Sequence, residues 1–327
     1  MSTAFVLSGG ASLGSMQAGM LQALYERQIR PDVIVGTSVG AINGAYIASR
    51  PQTRTTADTL AGMWRGIRRQ QVFPFSPLTA LLGVTGRNHV VAAGPLRRLI
   101  ADQLEFERLE DAPIPLHLIA VDLFTGRERR LSRGPALEAI VASAAIPGVF
   151  PPVDWEDTEL IDGGVANHTP ISHAVELGCD RICVLPTATS CPLPSEPNGA
   201  LGMAVHAMSL LTQQRLLADL EKFRDAAQLV VLPAPCPAGI QPTDFSHADE
   251  LIAAGYRRAC EALDRGAVPR SVPAGPRTRA SEPMRERPGP RRHAPAGAVP
   301  RTCRTASPRQ ADVHGSSGNA APASAFV

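Results

Sequence analysis

The run Val33-Ile34-Val35-Gly36-Thr37-Ser38-Val39-Gly40-Ala41 constrains this chain more than any other stretch. An apolar strand runs into a G-x-S-x-G turn, and an apolar helix follows without a spacer. A strand and a helix joined that tightly approach each other closely, so Gly36 and Gly40 have to be small. The same geometry pushes Ser38 out at the tip of the turn, at a helix N-terminus whose partial positive charge favours a developing oxyanion. Ser38 is therefore the candidate nucleophile.

Around this turn, apolar runs of strand length alternate with apolar patterns of helical spacing. Strands are predicted at 3–7, 33–35, 116–121, 181–185 and 229–232, with a further strand ending at 160–161. Helices are predicted over 13–27, 39–48, 135–145, 171–177, 201–223 and 247–263. This alternation predicts a three-layer α/β/α sandwich around a mostly parallel central sheet. Residues 52–112 break the rhythm. They read as a helical insertion within a domain of residues 1–267, with a loop near 73–89, placed to cover the site. From 268 to 327 the composition changes: ten prolines, ten arginines, three acidic residues and no Leu or Ile. Such a segment buries too little apolar area to offset its ordering entropy and reads as a disordered tail. Its formal charge of +7, against −5 for the body, suits peripheral contact with an anionic membrane; a nucleic-acid partner is not expected.

The six cysteines are scattered without a C-x-x-C pair, which predicts reduced thiols, no disulfide framework and no metal site. The first residues lack a basic segment followed by a long apolar one, and no apolar run reaches the roughly 18 residues of a membrane span. A cytoplasmic protein, peripheral at most to a membrane, is expected.

A nucleophilic serine needs a base and an oxyanion hole. The loop Gly9-Gly10-Ala11-Ser12-Leu13-Gly14 follows the first strand and opens a helix, so its backbone N–H groups point to the same sheet edge as Ser38. It is not a Walker A loop, because Ser15 stands where the lysine belongs. A dinucleotide fingerprint is broken at its first Gly-x-Gly, and no ribose-binding acid ends the second strand. For the base, no histidine lies in a convincing late loop: His117 is placed inside a strand, and His168 and His173 flank a helix start as surface or capping groups. Asp162 is better placed, at a strand end. Gly163 and Gly164 after it allow close backbone approach, Asn167 can tether the loop, and Pro170 suits a helix start. A partly desolvated carboxylate there could take the Ser38 proton; the bland alternative is a turn-forming Asp-Gly.

Four blocks in order resemble the patatin-like phospholipase family: residues 9–14, 36–40, 142–152, and Asp162-Gly163-Gly164 with Asn167 and Pro170. The resemblance implies cleavage of lipid carboxylic esters by a Ser-Asp dyad without histidine or cofactor. Ser38 would be the nucleophile and Asp162 the base, Gly9, Gly10 and Ala11 would supply the oxyanion hole, and Gly14, Gly36, Gly40, Gly163, Gly164 and Asn167 would support them. The family's loop usually carries a third glycine and then a basic residue; here Ala11 and Leu13 stand instead. The alanine keeps its N–H in place if its φ stays negative, and the missing positive charge favours a neutral ester over direct phosphate recognition. Two rival readings keep the same residues: an acyltransferase working through the same acyl-enzyme, and a non-catalytic scaffold of the same fold.

Overall fold

The computed structural model describes residues 1–74, 88–187, 199–236 and 240–265. The chain divides into a first unit, Met1–Pro276, and a second, Arg277–Val327, and the described residues all belong to the first. The predicted tail, and most of the loop predicted near 73–89, lie outside the described residues.

Eight strands form one sheet: β1 (Thr3–Leu7), β2 (Val33–Thr37), β3 (Leu116–Asp122), β4 (Glu128–Leu131), β5 (Val153–Trp155), β6 (Thr158–Asp162), β7 (Arg181–Leu185) and β8 (Gln228–Val231). The order is β5-β6-β3-β2-β1-β7-β8, with β4 also on β3. The pairs among β1, β2, β3, β7 and β8 are parallel; β3/β4, β3/β6 and β5/β6 are antiparallel. The helices are α1 (Ser15–Glu26), α2 (Val39–Ala48), α3 (Arg54–Gly66), α4 (Arg69–Val72), α5 (Gly94–Ala101), α6 (Ala136–Ser143), α7 (Ile171–Glu176), α8 (Gly199–Lys222) and α9 (Ala248–Asp264).

Both faces of the sheet are covered, as the sequence predicts, and the strands show it residue by residue. Side chains alternate across a strand. Phe5 and Leu7, Ile34, Leu116 and Leu118, and Cys183 and Leu185 join one apolar cluster, with α1, α2, α3 and α9. Ala4 and Val6, Val35, Ile119, and Ile182 and Val184 join the other, with α7 and α8. Over the first face α1 and α9 touch backbone to backbone. A Cβ on Gly19 would strike Ile252 O, and one on Gly255 would strike Met16 O.

One detail of register creates the site. β4 pairs with Leu118–Val121 and so occupies one edge of β3. β2 pairs with Leu116–Ile119 and β6 with Ala120–Asp122, and both must use the opposite edge. They meet there tip to tip, because Thr37 faces Ile119 and Asp162 faces Ala120. The residue after Thr37 and the last residue of β6 are thereby brought together from 124 positions apart in the numbering.

Two features differ from the sequence reading. β4 and β5 are absent from the predicted strands: Glu-Arg-Arg-Leu and Val-Asp-Trp are too charged or too short to show an apolar pattern, and they are held by backbone pairing. Cys236 is disulfide-bonded, against the expectation of reduced thiols, while Cys179, Cys183 and Cys260 are free. Cysteine spacing along the chain does not report which side chains meet in space.

Candidate active site

Ser38 sits between β2 and α2 with φ 55° and ψ −124°, a left-handed φ that costs a non-glycine residue roughly 1–3 kcal/mol. The surroundings hold it there. A Cβ on Gly36 would lie 2.5 Å from Gly40 O, and one on Gly40 would strike Leu7 O, so both glycines are required by close approach. Thr37 Oγ1 donates to Asn167 O (3.0 Å). The Ser38 N–H donates to Ser143 Oγ (3.0 Å), which itself donates to Ile119 O (2.6 Å). Ser143, the last residue of α6, thus bolts the turn to β3 at the point where β2 gives way to β6.

Asp162 is buried at the end of β6. Its carboxylate accepts a hydrogen bond from Gly164 N–H at 2.7 Å, and the neighbouring Ser38 side chain also favours the charged form. Burial outweighs both influences and pushes its pKa up to about 6. The loop after it is tied down from both ends. Asn167 N–H donates to Gly163 O (2.8 Å), and its side-chain amide donates to Glu128 Oε2 (2.9 Å) and Ser172 Oγ (3.0 Å). Gly163 packs so closely that a Cβ would strike Ile119 O.

The glycine loop lies alongside, shaped by a buried polar network. Gln17 Nε2 donates to Ser8 O and Leu185 O; Asn43 Nδ2 donates to Gly14 O and Gln17 Oε1; Trp64 Nε1 donates to Asn43 Oδ1. Gly14 leaves room for Val39, which a Cβ there would strike. Gly9 departs from its expected role, because its N–H is already donated to His168 O at 3.0 Å. Gly10 (φ 142°) and Ala11 (φ 49°) give their N–H groups to no protein acceptor among the described residues. The negative φ expected of Ala11 is not observed: the 3-10 turn that starts here, Ala11–Gly14, is entered through the left-handed region. An L-residue there is disfavoured by about 1 kcal/mol. Ala11→Gly is therefore expected to raise stability by roughly 1 kcal/mol, less what glycine gains in the unfolded chain, with activity retained. A higher urea midpoint at unchanged slope is the check.

An apolar cavity opens from Ser38 and Ala11. Its walls are Val39, Ile42, Leu60, Met63, Trp64, Phe73, Ile100 and Phe150 among others, and among the described residues its lining includes no Lys or Arg. Several of these walls come from α3, α4 and α5, the segment read as an insertion placed over the site. Among the described residues no cluster of His, Cys, Asp or Glu could hold a metal ion, and no helix is long and apolar enough to cross a membrane.

A serine on a strand-to-helix turn, beside a buried aspartate and flanked by a glycine loop, draws on most of the first half of the chain. The sequence profile of the patatin-like phospholipases matches residues 5–175, just over half of the chain. This chain belongs to the patatin-like phospholipase family. It is 31% identical over 187 residues to patatin-like phospholipase domain-containing protein 7 of Mus musculus, covering 56% of this chain and 13% of the mouse protein. It is 28% identical over 188 residues to lysophospholipase nte1 of Aspergillus terreus, covering 55% of this chain and 12% of that protein. The chain thus matches only a small part of the length of these relatives. VipD from Legionella pneumophila aligns over 81% of this chain and 67% of its own, with a TM-score of 0.43 and 14% identity.

Four contributors to this patatin-like site are missed by the sequence reading. Ser143 lies in the 142–152 block, and its hydrogen bond to Ser38 N–H has no sequence signal beyond a serine among small residues. Gln17 and Asn43 were expected only as positions on helices, and an amide on an apolar helical face is the signal that marks such a network. His168, read as a surface or capping group, has its ring against Gly9 and Gly164.

Proposed function

We propose that this chain is a serine acyl hydrolase that cleaves carboxylic esters of lipids through Ser38 and Asp162. The observation that carries the reading is the Ser38 side chain beside the buried Asp162 carboxylate, at the mouth of an apolar cavity. As Ser38 Oγ attacks the ester carbonyl, its proton passes to Asp162, whose raised pKa suits a base working near neutrality. The N–H groups of Gly10 and Ala11 meet the oxyanion of the tetrahedral intermediate; Gly9 serves instead as the gap through which the loop nears Ser38. The intermediate expels the alcohol, which takes the proton from Asp162, and leaves an acyl-enzyme. Water then repeats the sequence and releases the acid.

The cavity has the chemistry of an acyl-chain site: apolar walls, few polar groups, and one end at the nucleophile. With no cation among the described residues of its lining and Leu13 where the family usually has a base, a neutral ester suits this site better than one recognised by its phosphate. Treatment with a fluorophosphonate probe followed by intact-mass analysis tests the reading. A single adduct is expected on the wild type and none on Ser38→Ala. A well-folded wild type that takes up no probe would remove the nucleophile.

A further inference from the structure

His168 carries a side chain that the dyad chemistry leaves unused. Its backbone is fixed under the glycine loop by the hydrogen bond from Gly9 N–H to His168 O. Its ring lies against two glycines. A Cβ on Gly9 would sit 2.8 Å from His168 Cε1, 2.9 Å from Nδ1 and 3.2 Å from Ser38 Cβ. A Cβ on Gly164 would sit 3.0 Å from Asp162 Oδ1 and 3.2 Å from His168 Nδ1. The Nδ1–Cε1 edge of the imidazole therefore faces the same small volume as the nucleophile and the carboxylate. Only the missing side chains of Gly9 and Gly164 keep that volume open.

The neighbouring histidines are placed away from this volume: His173 is bonded through Nε2 to Glu128, and His117 lies within β3 with its Nδ1 buried and unpartnered. No protein hydrogen bond satisfies the His168 ring among the described residues, and the residue retains accessible surface. Burial lowers its pKa to about 4, so at neutral pH the ring holds one N–H donor and one lone-pair acceptor.

We infer that His168 is a catalytic residue that hydrogen-bonds the oxygen entering and leaving the reacting carbonyl. That oxygen is the ester oxygen of the departing alcohol during acylation and the attacking water during deacylation. The inference rests on the Ser38–Asp162 reading above. By microscopic reversibility both oxygens occupy one place, opposite the Ser38 oxygen. In deacylation the water oxygen bonds to the acyl carbon, one of its protons passes to Asp162, and its other hydrogen is held by the unprotonated ring nitrogen. The bond to Ser38 Oγ then breaks, Ser38 regains its proton from Asp162, and the acid departs. The imidazole begins and ends neutral. It supplies a second fixed point for a water that Asp162 alone could not orient.

Pre-steady-state kinetics on p-nitrophenyl and alkyl esters of one acyl chain test this. A p-nitrophenolate leaves without help, so the acylation burst should stay within about threefold of wild type in His168→Ala. Deacylation, and acylation by the alkyl ester, should fall about 10- to 100-fold, the worth of one buried hydrogen bond. His168→Asn, which offers both a donor and an acceptor, should recover much of the loss. Deacylation within threefold of wild type in His168→Ala, or burst and deacylation falling together, would overturn the inference while the dyad stands. Absence of a serine adduct on the wild type would overturn both.

Discussion

Asp162→Asn is expected to lower turnover by about 10²–10⁴ and, at the same time, to make the folded protein more stable. Asparagine keeps the shape and can still accept from Gly164 N–H and the Ser38 hydroxyl. It cannot take a proton, so only the base is lost. The stability gain follows from the sign of the pKa shift. The folded carboxyl titrates at about 6 and the free one at 3.8, so burial disfavours its charged form. That penalty, at most about 3 kcal/mol, is fully present above pH 6 and is relieved as pH falls toward 4. The amide removes it, so the variant should unfold at higher urea than wild type at pH 8, with the difference shrinking toward pH 4.5. The same titration predicts that wild-type kcat/KM falls tenfold per unit below about pH 6 and is flat above. A variant less stable than wild type at pH 8, or active to within tenfold, would remove Asp162 as a buried base.

A catalytic carboxylate held at a cost in stability is a common mark of a working site. Here the strain extends to the backbone: Ser38 and Ala11 both take left-handed φ values without being glycine. The two face the same cavity, while two other non-glycine residues with positive φ, Gln28 and Glu156, are not among its lining residues.

The parts of this arrangement that were legible in the sequence are those set by local sterics. Gly36 and Gly40 flag the sharp turn because their neighbours in space are also their neighbours in the chain. The buried strands are legible because a run of successive apolar residues, as in Ala4–Leu7, fits a sheet covered on both faces. What brings Asp162 to Ser38 is not local. It depends on β2 and β6 sharing one edge of β3, a register set by pairings that leave no periodic signature. Residues whose roles depend on that register escaped for the same reason. Ser143 is one serine among alanines until its Oγ is seen between Ser38 and Ile119. His168 resembles a cap until Gly9 comes to rest against it. The φ of Ala11 could not be read from an alanine, whose type argues against the conformation it adopts.

Gly40→Ala is expected to be severely destabilising, by 3 kcal/mol or more, although helix propensity alone would favour alanine by about 1 kcal/mol. Gly40 is in the first turn of α2, where the helix rests on the end of β1. The added Cβ would strike Leu7 O and lie 2.6 Å from Leu7 C and 2.7 Å from Ser8 O. All three are backbone atoms of the strand that leads into the glycine loop, so no side chain can rotate to make room. Either α2 lifts off the sheet or residues 7–11 shift, and both moves displace the Ser38 turn from Gly10 and Ala11. Activity should fall with stability rather than independently of it. Gly62→Ala is the matched control. It lies inside α3, is exposed, and its Cβ would meet nothing within 4 Å. There propensity acts alone, and a gain of roughly 0.5–1 kcal/mol is expected. Urea unfolding of the two variants beside wild type should therefore move the midpoint in opposite directions. A Gly40→Ala midpoint at or above wild type would mean that the helix is not held against β1 at this distance, and the account of why the turn must carry glycine would fall with it.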